Sequence, residues 1–119
     1  MTKASAVLNY VEYAAVDLEA TKAFFSTVFG WQFVDYGEDY TAFSDLNIDG
    51  GFYRANKTSI SQQGGALLVF KTAKISQVQH DIELAGGVIS KALFSFPGGQ
   101  RFHFIEPSGN EFAVWSESV

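Results

Sequence analysis

The chain has 119 residues, enough for one compact domain and too few for two independent ones. Its 13 acidic residues outnumber the 8 basic ones and leave a formal charge of −5, which argues against duplex nucleic acid or an anionic membrane as the main partner, since both need a positive surface. There is no cysteine, so disulfides, thiolate-held zinc, iron–sulfur clusters and thiol nucleophiles are excluded; a composition that is 47% hydrophobic and 18% charged suits a chain that fills a core.

Residues 6–16 hold β-formers and a single charge, Glu12, and read as a strand. Asp17 then stands at a helix N-cap, with Glu19 in the first turn where the helix dipole favours an anion. Leu18, Thr21, Phe24, Phe25, Val28 and Phe29 recur at spacings of three and four, which is one apolar helix face, and Gly30 closes it. Three short strands follow at 31–36, 40–45 and 51–54, separated by the turn sequences Gly37-Glu38-Asp39 and Asn47-Ile48-Asp49-Gly50. Residues 55–65 are polar and small and read as a linker. The order then restarts: a strand at 66–71, a helix face at Ile75, Val78, Ile82 and Ala85 stopped by Gly86-Gly87, and strands at 88–94, 100–105 and 111–116. Pro107-Ser108-Gly109-Asn110 makes the last turn, with Pro presetting φ and Gly free to take a positive one. The helix-stop glycines Gly30 and Gly86 superpose at an offset of 56, and the strands at Tyr40 and Arg101 at 61, so the chain reads as a duplicated strand–helix–strand–strand–strand unit. No apolar run reaches the roughly 18 residues of a membrane helix, and Met1–Ala6 lacks the apolar stretch of a secretory leader, so the expected location is cytoplasmic.

Two stretches carry a family resemblance. Val11–Trp31 combines a strand, an Asp cap, a Phe-Phe pair and Phe-Gly-Trp, and Gly99–Asn110 reads Gly-x-x-Phe-x-Phe-x-x-Pro-x-Gly-Asn, with Glu106 where Asp is usual. Together, in this element order, they resemble the glyoxalase/bleomycin-resistance/extradiol-dioxygenase superfamily, the vicinal oxygen chelate proteins, in its small single-domain form. The resemblance implies an α+β fold over residues 1–119: two βαβββ modules, about 6–54 and 66–116, whose eight strands form an open, cup-shaped sheet with the helices outside. It also implies a homodimer. It does not fix a reaction, because one fold serves many chemistries.

Metalloenzymes of that family place His or Glu on the first and last strand of each module. Counted from the helix cap and from the Glu106 turn, the corresponding positions are Tyr10, Phe52, Ala66 and Ala113, none of them a His or a carboxylate. The expectation is therefore no metal and no cofactor; a site built from Glu12 and His103 with water is the one alternative. His80 falls on the polar side of the second helix and reads as a solvated residue.

Strands alternate faces with period two. If Tyr10 faces the cup, so do Glu12 and Ala14, and on the last strand Glu111, Ala113 and Trp115. Phe52 and Arg54 are expected inside on the fourth strand. Arg101, His103 and Ile105 are expected inside on the seventh, because a His under a helix is costly to bury. The candidate ligand-binding residues are thus Tyr10, Phe52, Arg54 and Trp115, with Glu12 and His103 as candidate acid–base groups. Each also has a purely structural reading: Glu12 as an ion-pair partner of Arg54 or His103, Tyr10 and Trp115 as packing. Three functions stay open: a metal-free protein binding a small aromatic or amphipathic molecule, a lyase- or isomerase-type enzyme moving protons through Glu12 and His103, and a dimeric interaction module whose cavity is filled by its own side chains. No phosphate loop, nucleophile elbow or His-Glu-x-x-His motif competes with these.

Overall fold

The computed structural model describes residues 4–45 and 47–117. Its elements run β1 (Tyr10–Ala15), α1 (Leu18–Phe29), β2 (Gln32–Asp35), β3 (Tyr40–Ser44), β4 (Asp49–Arg54), a 3-10 turn (Ser61–Gln63), β5 (Leu68–Lys71), α2 (Ile75–Leu84), β6 (Val88–Phe96), β7 (Gly99–Ile105) and β8 (Glu111–Glu117). This is the α+β architecture of two βαβββ modules that the sequence implies. Backbone hydrogen bonds divide the eight strands into two open four-stranded sheets, ordered β1-β4-β3-β2 and β5-β8-β7-β6. In each, the first strand of the module runs parallel to the last, and the rest of the sheet is antiparallel.

Local chemistry sets the ends of α1. Asp17 is extended and its side chain accepts from the Ala20 N–H at 3.1 Å. Gly30 takes the left-handed conformation at φ 70° and its N–H returns to the Phe25 and Ser26 carbonyls. The second helix is weaker at its start, where Lys74 caps without a side-chain bond, and it is turned off by Gly86 at φ 97°. No helix among the described residues is long and apolar enough to cross a membrane.

One face of each sheet carries the core. Tyr13, Phe43 and Phe52 from the first sheet and Phe102, Phe104, Phe112 and Val114 from the second are buried against Leu18, Phe24 and Phe25 of α1 and Ile82 of α2. The helix α1 serves both modules. Phe25 lies 5.6 Å from Phe52 and 5.1 Å from Phe112, and Phe29 stacks on Phe70 at 4.0 Å. A second, polar junction joins them: Asn110 in the last turn donates to the Ala14 carbonyl at 2.8 Å, and Ser108 Oγ donates to the Asp17 carbonyl at 3.0 Å. The polar stretch read as a linker is likewise tied down. Ser59 N donates to Asn110 Oδ1 at 2.8 Å, and Glu111 N donates to the Ser59 carbonyl at 2.9 Å.

Candidate functional site

The faces opposite the core are open in part: Tyr10, Glu12, Tyr53, Val69 and Lys71 are exposed on them, while Ala14, His103, Glu111 and Ala113 are buried, and pairing register decides which residues they carry. Residues directly opposite in a ladder share a face. In the second sheet Val69, His103 and Ala113 lie side by side, flanked by Lys71, Arg101 and Trp115. In the first sheet Glu12, Ala42 and Gly51 lie side by side, flanked by Tyr40 and Tyr53. Tyr10, Glu12, His103 and Trp115 therefore stand where alternation put them, on the open faces.

Phe52 and Arg54 do not. Phe52 is opposite Tyr13, fully buried, and packed against Phe25 and Phe43 under the helix. Arg54 is on the same side and is exposed, pairing with Asp39 at 3.2 Å and donating to the Glu38 carbonyl at 2.8 Å. The cause is a one-residue slip between the halves. The counterpart of Ala113, set beside His103 and Val69, is Gly51, set beside Ala42 and Glu12. A one-residue shift in a strand turns every side chain to the other face. The same correction makes Leu67, rather than Ala66, the counterpart of Tyr10.

The four positions where the fold could hold a metal thus read Tyr10, Gly51, Leu67 and Ala113, and none carries an imidazole or a carboxylate. Among the described residues no three His, Asp or Glu side chains converge. The donor set does not fit a catalytic metal ion at these positions.

On the first open face Tyr40 is the hub. Its hydroxyl donates to Glu12 Oε2 at 2.9 Å and lies within hydrogen-bond distance of the Tyr10 hydroxyl. Burial, reinforced by these two neighbours, holds the Tyr40 hydroxyl above the ordinary tyrosine range. The ring reaches Glu12 only because residue 51 is glycine: a Cβ there would sit 2.0 Å from the Tyr40 hydroxyl oxygen. Gly51→Ala is expected to displace that ring and cost about 1–2 kcal/mol of stability. The check is a double-mutant cycle in urea, in which Tyr40→Ala removes most of the cost of Gly51→Ala.

On the second open face a chain of hydrogen bonds runs Arg101–His103–Glu111–Ser61. Arg101 Nη2 and His103 Nε2 are 2.9 Å apart, and His103 Nδ1 and Glu111 Oε2 are 2.7 Å apart. Guanidinium nitrogens only donate, so Nε2 accepts and the ring proton sits on Nδ1, facing the carboxylate. Ser61 closes the chain, its N–H and hydroxyl both donating to Glu111 Oε1 at 2.8 and 2.7 Å. Burial is the largest single influence on Glu111 and pushes its carboxyl up. The hydrogen bonds from His103 and from Ser61 together outweigh it and hold the carboxyl below the usual range. A carboxylate lowered on folding adds stability above its unfolded value, near pH 4.5, and that stability is lost as pH falls through the folded value. Between pH 6 and pH 3 the urea midpoint of the native chain should fall further than that of Glu111→Gln.

Glu12 and His103 belong to separate networks, one in each sheet, and among the described residues no hydrogen bond joins them. His80 lies exposed on α2. Sequence reasoning placed Arg101 and Glu111 on the correct face but gave them no role. It missed Tyr40 altogether, whose only signal was the glycine opposite its neighbour. Beside Arg101, the residues Val69, Phe96, Gly98 and Trp115 line a shallow recess of about 260 Å³ that is open to solvent.

Comparison with known proteins agrees with this architecture. Residues 7–114 match the model of the Glyoxalase/Bleomycin resistance protein/Dioxygenase superfamily. No curated protein sequence matches the chain. Among solved structures, the chain is similar to the genomically encoded fosfomycin resistance protein FosX from Listeria monocytogenes, with a TM-score of 0.78 at 13% identity over 98% of this chain and 97% of that one. It is similar to a glyoxalase-related enzyme from Fulvimarina pelagi, with a TM-score of 0.77 at 16% identity over 93% and 88%. A family enzyme from Burkholderia phytofirmans PsJN gives 0.76 at 19% identity over 94% and 99%. Identities this low speak for the shared fold alone. With the family model covering nearly the whole chain and both βαβββ modules in place, the chain belongs to the glyoxalase/bleomycin resistance/dioxygenase superfamily.

Proposed function

We propose that this chain binds a small aromatic or amphipathic molecule on the open face of its sheets, without a metal, and works as a cytoplasmic homodimer. The observation that carries the reading is the recess on the second sheet. Val69, Phe96 and Trp115 give it apolar walls, and a single fixed cation, Arg101, stands at its edge. Binding sites have this composition: mostly apolar, with few polar groups held in place. At about 260 Å³ the recess suits a single ring rather than an extended ligand. The donor chemistry at Tyr10, Gly51, Leu67 and Ala113 supports binding without a metal. Two observations support the dimer. The strands β1 and β5 each have one unpaired edge, and Val7 and Leu8, ahead of β1, are 85% and 89% exposed.

Titration of the isotope-labelled protein with indole, in the presence of a chelator, tests the reading. Amide shifts confined to Val69, Phe96, Trp115 and their strand neighbours are the expected result. Absence of any shift, or binding that appears only when zinc or nickel is restored, would overturn it. Light scattering on the same sample reports the assembly, for which twice the 13.1 kDa chain mass is expected.

A further inference from the structure

We infer that the ligand of the second sheet is an anion, a single aromatic ring bearing a carboxylate, and that Arg101 is its anchor. The inference rests on the binding reading above and names the chemical class of its ligand.

Arg101 is half-buried and, among the described residues, has no carboxylate within ion-pair distance. Arg54 and Lys71 each have one and Lys22 has two, whereas Lys57, Lys74 and Lys91, like Arg101, have none among the described residues. The carboxylate nearest along the network, Glu111, is already spent on His103 and on both donors of Ser61. The Arg101 Nε–H is shut off from solvent and has no acceptor. The guanidinium thus has no opposite charge beside it, and an anion reaching its outer nitrogens would supply one.

A second cation stands on the same face: Lys91 lies over the Phe94 ring at 4.7 Å, while Lys71, over the Trp115 ring at 5.1 Å, is paired with Glu117 at 2.7 Å. Phe94 also lies beneath the Arg101 guanidinium at 5.8 Å. Cations are gathered around an aromatic recess, and the one at its wall lacks a counter-ion.

Geometry selects the anion. A guanidinium presents a planar fork that matches a carboxylate with two parallel hydrogen bonds. The His103–Glu111–Ser61 chain holds one arm of the fork through Nη2 and so fixes the plane. A ring attached to that carboxylate then enters the space between Val69, Phe96 and Trp115, where aromatic stacking and apolar burial add to the ionic contact. His103 is a positioning residue here: it orients Arg101 and need not touch the ligand.

The test compares benzoate with benzamide, which share ring and shape and differ in charge, by isothermal titration at low ionic strength with amide shifts recorded in parallel. Native protein should favour benzoate by at least about tenfold. Arg101→Gln should abolish that preference, whatever it does to the affinity for benzamide; Arg101→Lys, which keeps charge and loses the fork, should retain part of it. His103→Ala should reduce the preference without moving benzamide affinity, a selectivity that general loosening of the sheet would not produce. If Arg101→Gln melts early, the Lys variant decides alone. Equal binding of the two probes, or a benzoate preference that survives at Arg101→Gln, would overturn the anion anchor and leave the binding reading standing. If neither probe shifts Val69, Phe96 or Trp115, both readings fall together.

Discussion

Glu106→Gln is expected to destabilise the chain by about 2–4 kcal/mol while leaving the open faces unaltered. Glu106 is 1% exposed, and every neighbour in hydrogen-bond reach is a donor to it. Thr21 Oγ1 and Ser108 N converge on Oε1 at 2.7 and 3.0 Å, while Asn110 N and Nδ2 converge on Oε2 at 3.3 and 2.8 Å. A glutamine has nearly the same shape but replaces one oxygen by a donor. At the Oε2 place the new amide would face two N–H groups of Asn110; at Oε1 it would face the Ser108 N–H. Either flip leaves buried donors without acceptors, and the low dielectric around them makes that costly. The damage spreads because the same groups staple the modules. Thr21 belongs to α1, Asn110 also holds the Ala14 carbonyl, and Ser108 holds both the N–H and the carbonyl of Asp17. Urea unfolding of the variant beside Thr21→Val separates the two effects. The valine removes one donor and should cost about 1–2 kcal/mol, since it strands no further donor on Glu106. A Gln variant as stable as the native chain would mean that the cradle relaxes to accept a second donor.

Much of the fold was legible because its signals are local. Asp17, Gly30 and Gly86 announce helix ends through chemistry within a few residues, and Pro107-Ser108-Gly109-Asn110 announces a turn in the same way. Alternation on β1, β7 and β8 was also enough to put Glu12, His103 and Trp115 on open faces. The misplacement of Phe52 and Arg54 shows where that stops. The two modules use different connection lengths between their first and last strands, so no single offset carries a position from one half to the other. The true counterpart of Ala113 is visible only in the ladders. The Glu106 cradle was legible as a turn and illegible as a junction, because Thr21 and Ala14 lie 85 and 96 residues from their partners. The Arg101–His103–Glu111 chain is intermediate: its residues were on the expected face, but only coordinates show that Glu111 is consumed and Arg101 is not.

Phe25→Ala should be the most damaging apolar truncation, at about 3–5 kcal/mol. The ring is fully buried and meets rings of its own helix and of both sheets. It stacks on Trp31 at 4.7 Å with 13° between planes, meets Phe24 edge-on at 5.1 Å, and contacts Phe52 of the first sheet and Phe112 of the second at 5.6 and 5.1 Å. Removing it costs the transfer energy of the ring and leaves a cavity whose walls cannot collapse, because those walls are rigid aromatic rings held by two different sheets. The substitution also removes the one α1 ring that meets both Phe52 of the first sheet and Phe112 of the second, so cooperativity is expected to suffer along with stability. In urea the midpoint should fall and the slope should flatten as the second module begins to unfold apart from the first. Phe29→Ala supplies the contrast: that ring is half-buried and stacks on Phe70 of the second module without meeting Phe52 of the first sheet, so its loss should cost less and flatten the slope less. An unchanged slope for Phe25→Ala would place the coupling of the modules in the Glu106 cradle instead of the aromatic core, and the Glu106→Gln transition would then be the one to broaden.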